Sequence, residues 1–358
     1  MFEQGSLSNR ATSLPPPANP ALFVWLKSFD ASIPVVNGLT SIAGIRVGHA
    51  TDLEGITGCT MILCEGGASG GVDIRGGASG TAEIGVLDPM HITPSIHGVM
   101  LAGGSAFGLE ASSGARRFLE QHGIGFEMQS ARVPIVPSAI LYDLGIGDAQ
   151  ARPTREMGEA AAAAAYLSKP FTAVAEGNVG AGTGATVGKV NGMQCAMKGG
   201  VGSAVWELSG RFKGVQVAAL VAVNAFGDVI DEKRAIIAGA RKSATSREFE
   251  NTERKLLDGG RTRFNGGNTT LVVVATNVKL TKVEATKMAQ LAQAGMIRAI
   301  SPVHTTRDGD TIFTIATGAM PAIDINALGI AAAEVLAEAI RRAVKQARGL
   351  GGVPALNA

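Results

Sequence analysis

Two places in this 358-residue chain set hydroxyl or carboxyl groups where they could do chemistry rather than fill space. The first is FNGGNTTLVVVATN, Phe264 to Asn277, in which two glycines and an asparagine lead into two threonines and an apolar run. A threonine freed at its amino group carries a nucleophilic hydroxyl and its own base on one residue. An α-amine ordinarily titrates at about 7.7–8, so a useful fraction is unprotonated near neutrality. It can take the hydroxyl proton directly or through a neighbour. Thr269 becomes such a group if its hydroxyl attacks the Asn268 carbonyl and the Asn268–Thr269 peptide is cut. Gly266 and Gly267 permit backbone conformations in which that peptide is strained. The plainer reading is a loop before a strand, and spacing alone leaves both open. The second place is RDGDT, where Asp308 and Asp310 stand two apart at the head of another apolar run. On an extended backbone they face the same side, and two close carboxylates do not titrate independently. A simple Asp-Gly turn is the alternative. The pair gains chemical meaning only beside a nucleophile.

Other candidates are weaker. LAGGSAFG (101–108) suggests a dinucleotide loop, but G-x-G-x-x-G is not satisfied and no acidic residue sits usefully about 20 positions on. A nucleophile elbow around Ser105 also fails, because position 107 is Phe and Gly108 comes one residue late. A tight turn into a helix over 105–121 is the plain reading; a Ser105-dependent esterase is the rival. His49, His91, His97, His122 and His304 lack metal spacing and read as surface or satisfied core residues. They offer no obvious histidine for a Ser-His-Asp arrangement. Cys59, Cys64 and Cys195 are too scattered for a disulfide framework or a zinc site and read as buried thiols in a reducing compartment. No metal and no cofactor is expected.

Elements must position these groups. Residues 1–38 read as an arm, because Pro15, Pro16, Pro17 and Pro20 are incompatible with a regular element. TGCTMILC, ending at Cys64, reads as a strand, and GGASGGVDIRGGASG (66–80) as a glycine-rich loop around a short strand. HGVMLAGGSAFGLEASSGARRFLEQHG reads as strand, turn and helix to about His122. The stretches ATVGKVNGMQCAMKGGVGSAVWEL and FKGVQVAALVAVNAFGDVID look like paired strands with glycine turns. Residues 232–263 form a charged and polar stretch, the natural place for an exposed linker. Thr281 and Glu284 make a capping box for a helix with Met288, Leu291, Ala292 and Met296 at helical spacing. A long helix from INALGIAAAEVL is expected to close at Gly349. Strands and helices mix without a strict βαβ rhythm, which points to helices covering sheets in layers.

Composition narrows the class. Hydrophobic residues make up 46% and charged ones 17%, enough for a sizeable core. With a net charge of +2 and no basic run interleaved with aromatics, no nucleic-acid partner is expected. No apolar run of signal-peptide or membrane length follows a basic start, so no membrane partner and a cytoplasmic location are expected.

The blocks GIRVGHAT, DIRGGASGT, MLAGGSAFGL, VPIVPSAILYDL, GNVGAGTGATVGK, KGGVGSA, AVNAFGDV and GNTT follow one another in this order between about residues 40 and 320. Together they resemble the DmpA-type family of self-processing aminopeptidases and amidases, which includes β-peptidyl aminopeptidases and the 6-aminohexanoate-oligomer endo-hydrolase. The resemblance implies an α-β-β-α sandwich in one catalytic domain (39–358). It implies cleavage into an α fragment (1–268) and a β fragment (269–358), and a homo-oligomer of such heterodimers acting on small peptides or oligoamides. By position it carries over Thr269 as nucleophile, Asn224 as oxyanion-hole amide, Asp308 and Asp310 as orienting and proton-moving groups, and Lys189 and Tyr142 as residues lining the site. Lys189 would help keep the Thr269 amine neutral, and Tyr142 would donate to the oxyanion or the substrate. GNTT with DGDT is more similar to the oligoamide-hydrolase branch than to the aminopeptidase branch, which generally has serine at the nucleophile. A non-catalytic binding or assembly protein keeping the fold is the rival of a different class.

Overall fold

The computed structural model describes residues 35–36, 38–263 and 266–357, so the proline-rich arm lies almost wholly outside the described residues. The elements used below are β1 (Arg46–Asp52), β2 (Thr57–Ile74), β3 (Ile96–Ala102), α1 (Ala111–Gln121), β4 (Ser138–Ile140) and α2 (Arg155–Leu167). They continue with β5 (Val201–Glu207), β6 (Gln216–Asn224), β7 (Thr269–Val278), α3 (Lys282–Ala299), β8 (Thr311–Met320) and α4 (Ile325–Gln346). Strands are ordered β5-β6-β7-β8-β2-β3-β4, and β1 pairs with the first half of β2. β7 and β8 run parallel, as do β3 and β4; the other pairs along the path are antiparallel.

Side-chain alternation sorts the residues into four layers. Val217, Ala219, Val221 and Val223 of β6, with Val272 and Val274 of β7 and Ile312 of β8, pack under α3 and α4. The alternate residues Ala218, Leu220, Ala222, Leu271, Val273, Phe313 and Ile315 meet Ile62, Val99, Leu101 and Ala139 of the second sheet. That sheet turns Cys59, Met61, Leu63, Met100 and Ala102 to α1 and α2. The result is the α-β-β-α sandwich. β6 and β7 read as almost unbroken apolar runs because both their faces are covered.

Three expectations need correction. GGASGGVDI is not a loop: β2 is one strand of 18 residues that passes from one sheet to the other through a register shift between Leu63 and Ala68. Its glycines make room, since a Cβ on Gly71 would lie 2.4 Å from the α3 backbone at Ala285. Residues 232–263 are not a plain linker. They hold a short strand (Ile236–Ala238) and a helix (Thr252–Leu257), and the Asp228 carboxylate ties them down by accepting from Ala240 N, Thr252 N and Thr252 Oγ1. The last helix ends at Gln346 with Ala347 extended, before Gly349 is reached. The capping box at Thr281 and Glu284 is present as read.

The α1–α2 crossing depends on two glycines in contact with opposing backbone. A Cβ on Gly158 would stand 1.8 Å from Ala111 O, and one on Gly114 1.8 Å from Arg155 O. Gly158→Ala is therefore expected to destabilise the fold by about 1–3 kcal/mol as the helices are forced apart. A urea-unfolding midpoint equal to or above that of the unaltered protein would contradict this packing.

Candidate active site

Three strand ends converge at one end of the inner sheet. β6 terminates at Asn224, and antiparallel register sets Asn224 directly opposite Thr269, the first residue of β7. On the other side β7 runs parallel to β8, and a further bridge pairs Asn268 with Asp308. Thr269 thus lies between Asn224 and the Asp308–Asp310 turn. Asn224, Asn268, Thr269, Asp308 and Asp310 are all buried.

The Asn268–Thr269 peptide is held on the β8 side. Asn268 N–H donates to Arg307 O (3.1 Å), and Gly309 N–H donates to Asn268 O (2.7 Å). The Thr269 hydroxyl donates to that same carbonyl oxygen, at 2.5 Å. Gly309 must be glycine here, because a Cβ would lie 2.6 Å from Thr269 Oγ1. On the β6 side the Asn224 amide is oriented by a cation. Its Oδ1 accepts from Lys189 Nζ (2.8 Å) and Thr186 N (3.0 Å), which leaves Nδ2 to donate to the Tyr142 carbonyl (2.9 Å). Lys189 Nζ also donates to Asn224 O (3.0 Å).

The two carboxylates have separate partners. Asp308 accepts from Phe226 N, Thr305 N and the Thr305 hydroxyl. Asp310 accepts from Thr270 N (2.8 Å), His304 N (3.1 Å) and His304 Nδ1 (3.0 Å). Asp308 therefore ties the end of β6 to the turn, and Asp310 ties the head of β7 to it.

Burial sets the electrostatics. Asp308 is pushed up to about 6, first by desolvation and then by the Asp310 charge, against the Thr305 and Phe226 hydrogen bonds and Lys189. Lys189 is pushed down to about 7 by desolvation, despite the pull of Asp308, Asp143 and Asp310. Behind it Lys198, fully buried, donates to Thr183 O (2.8 Å) and Ala185 O (2.6 Å), and desolvation lowers it to about 7 as well. Asp143 faces these lysines, fixed by Thr57 Oγ1 (2.7 Å) and Gly104 N (2.6 Å), with its carboxyl raised by burial. Tyr142, Asp143, Thr186, Lys189 and Met193 line a small void beside Asn224.

The structure gathers all six expected residues, Thr269, Asn224, Asp308, Asp310, Lys189 and Tyr142, into one neighbourhood, with changes in detail. The aspartates do not stand on a regular strand, because β8 starts only at Thr311 and Asp308 lies in the preceding turn. Lys189 reaches the Asn224 amide. Tyr142 contributes its backbone carbonyl, and its Cβ lies 3.2 Å from where a Cβ on Gly267 would be. His304 is not a bland histidine: a positive φ of 57° at this residue turns its ring onto Asp310. Reading histidines for metal spacing misses such a pair. Lys198, Asp143 and Gly309 also escaped the sequence reading; KGG, YDL and DGD hold them, but nothing local marks their partners. Ser105 sits in a strained turn, φ 53°, with its N–H on Leu141 O, and no hydrogen bond joins its hydroxyl to a histidine among the described residues.

The sandwich is that of known amide-cleaving enzymes. It superposes on a Burkholderia sp. beta-aminopeptidase with a TM-score of 0.65 at 22% identity, covering 92% of this chain and 93% of that one. It matches the Ochrobactrum anthropi L-aminopeptidase D-Ala-esterase/amidase, described as a variant among the Ntn hydrolase fold, with a TM-score of 0.65 at 20% identity over 91% of this chain and 90% of that one. The family model for Peptidase family S58 matches residues 37–356, and the chain belongs to that family, whose chemistry is hydrolysis of amide bonds. Among sequence relatives, an uncharacterized aminopeptidase of Mycobacterium leprae is 37% identical, covering 89% of this chain and 93% of the relative. A 6-aminohexanoate-oligomer endohydrolase of Kocuria sp. is 30% identical, covering 84% of each.

The buried lysines make stability depend on pH in a definite direction. Lys189 and Lys198 hold pKa values of about 7 when folded against an ordinary 10.5. Between those values the unfolded chain binds protons that the folded one does not, so stability rises with pH from about 7 upward. Asp308, raised from 3.8 to about 6, acts below that window: its folded form binds the extra proton, and stability falls as pH rises through about 6. The urea midpoint is expected to climb from about pH 7 to 8.5, and Lys198→Met to flatten that climb. A midpoint that falls over this range in the unaltered protein would contradict the burial of these ammonium groups.

Proposed function

We propose that the chain cuts itself between Asn268 and Thr269 and that the freed Thr269 then hydrolyses amide bonds of short peptides or oligoamides. One observation supports the reading: the Thr269 hydroxyl donates to its own preceding carbonyl, and strand pairing sets an oriented asparagine amide on one side of it and two buried carboxyl groups on the other. Family membership supports amide hydrolysis, and the names of the relatives, aminopeptidase and 6-aminohexanoate-oligomer endohydrolase, bracket the substrate class. Three buried free thiols fit a reducing cytoplasm. A homo-oligomer of cut pairs is part of the same reading.

The chemistry follows from the groups present. The freed amine of Thr269 takes the proton of Oγ1 as the oxygen attacks the substrate carbonyl. Negative charge collecting on the carbonyl oxygen has a donor on each side, Asn224 Nδ2 from the β6 side and Gly309 N–H from the β8 side. The Thr186 N–H, joined by Lys189 when protonated, keeps the Asn224 amide from flipping, because both can face only the oxygen end. The Thr269 ammonium returns its proton to the leaving amine, and water then cleaves the ester with the amine again acting as base. Asp308 and Asp310 hold the strand ends in register, Asp308 through Phe226 N–H at the end of β6 and Asp310 through Thr270 N–H at the head of β7.

A hydrolysis screen of the cut protein against aminoacyl p-nitroanilides, β-peptides and 6-aminohexanoate oligomers tests the reading. Thr269→Ala is expected to remain one chain and to be inactive. Asn224→Ala is expected to lower kcat by about 10²–10³ with little change in KM, because its donor acts on charge that exists only in the transition state. Activity retained by Thr269→Ala would return the Ser105 reading to the front, and an unaltered protein that hydrolyses nothing would return the binding-protein reading.

A further inference from the structure

The uncut site already has an occupant. Asn268 is fully buried beside Thr269, paired to the turn before β8 by two main-chain hydrogen bonds, Asn268 N–H to Arg307 O and Gly309 N–H to Asn268 O. Its carbonyl points toward Gly309 on the β8 side, whereas Asn224 lies on the β6 side with its Nδ2 on Tyr142 O. The donor placed to stabilise charge in the self-cut is therefore the Gly309 N–H. The absence of a side chain at Gly309 is what lets its N–H and the Thr269 hydroxyl reach one oxygen, since a Cβ would fall 2.6 Å from Thr269 Oγ1 and 2.7 Å from Ala78 O.

We propose that Arg307 C=O and Gly309 N–H form the acyl-side subsite of the mature enzyme, and that the chain's own Asn268 is its first ligand. The inference rests on the self-cutting reading of Thr269. In the cut, Thr269 Oγ1 adds to the Asn268 carbonyl carbon, and the C–N bond breaks with the hydroxyl proton passing to the Thr269 nitrogen. Asn268 is left as an ester on Oγ1. Water adds to that ester, the C–O bond breaks, and the Asn268 carboxylic acid and the Thr269 hydroxyl are regenerated, with one water consumed. The ester of substrate turnover is the same species with a different acyl group. An acyl residue that takes the place of Asn268 meets the same two main-chain groups: its carbonyl oxygen faces Gly309 N–H, and an N–H on its α-carbon faces Arg307 O. The subsite therefore selects α-aminoacyl groups, extended as one more rung on β8, by a donor at the α position rather than by side-chain identity. A 6-aminohexanoyl group carries its nitrogen several methylenes too far away to use it.

Two measurements test this. The first follows self-cutting on a denaturing gel for Asn268→Ala, which keeps the backbone N–H, Asn268→Pro, which removes it, and Gly309→Ala, with folding checked by thermal melts. The subsite predicts cutting of Asn268→Ala near the rate of the unaltered protein and at least tenfold slower cutting of the other two. If folded Asn268→Pro or Gly309→Ala is cut as fast as Asn268→Ala, the inference is overturned while the self-cutting reading stands. The second compares alanyl, lactyl and propionyl p-nitroanilides with the cut protein; lactyl keeps a neutral donor at the α position and propionyl has none. Alanyl and lactyl are expected to exceed propionyl at least tenfold in kcat/KM. Equal rates overturn the subsite, as does hydrolysis of 6-aminohexanoate oligomers without hydrolysis of the alanyl compound. If the unaltered chain is never cut and hydrolyses nothing, the Thr269 reading itself has failed, and the subsite fails with it.

Discussion

The position of β7 between β6 and β8 is the constraint on which the site depends. Pairing on the β6 side sets Asn224 opposite Thr269, and pairing on the β8 side brings the Asp308–Gly309–Asp310 turn against the same residue. A slip of one residue would turn every side chain of β7 to the other face. That slip is opposed by the two cores that β7 feeds, Val272 and Val274 outward and Leu271, Val273 and Ala275 inward. Each fully buried Val or Leu contributes roughly 1.5–3 kcal/mol, so register is specified by many side chains remote from the chemistry. The same ladders would hold the strand in place after the proposed cut at Asn268–Thr269, because beyond that peptide β7 is paired with neighbours on both sides.

Behind the strands lies a buried set of charges, Lys189, Lys198, Asp143, Asp308 and Asp310. Desolvation opposes the charged forms of Lys189, Lys198, Asp143 and Asp308, and the attraction between the lysines and the aspartates only partly offsets it. Such groups are weak contributors to stability, but they fix orientation. Lys189 commits the oxygen end of the Asn224 amide, and Lys198 clamps the carbonyls of Thr183 and Ala185 just before Thr186, whose N–H completes that commitment.

Much of this was legible in the sequence, and the rest was not, for physical reasons. Thr269 and the DGD turn stood out because polar residues interrupt strongly apolar strands, and a capping box announces α3 within four residues. Asn224, Lys189 and Tyr142 came only through family resemblance, since their roles arise from pairing across long sequence separations. The glycines of β2 read as a loop because glycine is ordinarily depleted in strands; here they let α3 approach the sheet. The charged stretch 232–263 read as a linker because its anchor, Asp228, is a single buried carboxylate outside it. His304 was passed over because one residue in the left-handed region brings its ring back to Asp310.

On this account the chain's first reaction is with itself, and that is open to direct observation. Purified protein analysed by intact mass and N-terminal sequencing should consist of two fragments, the smaller beginning TTLVVVATN at Thr269. A single uncut chain that hydrolyses amides, or a small fragment starting at any other residue, would contradict the account.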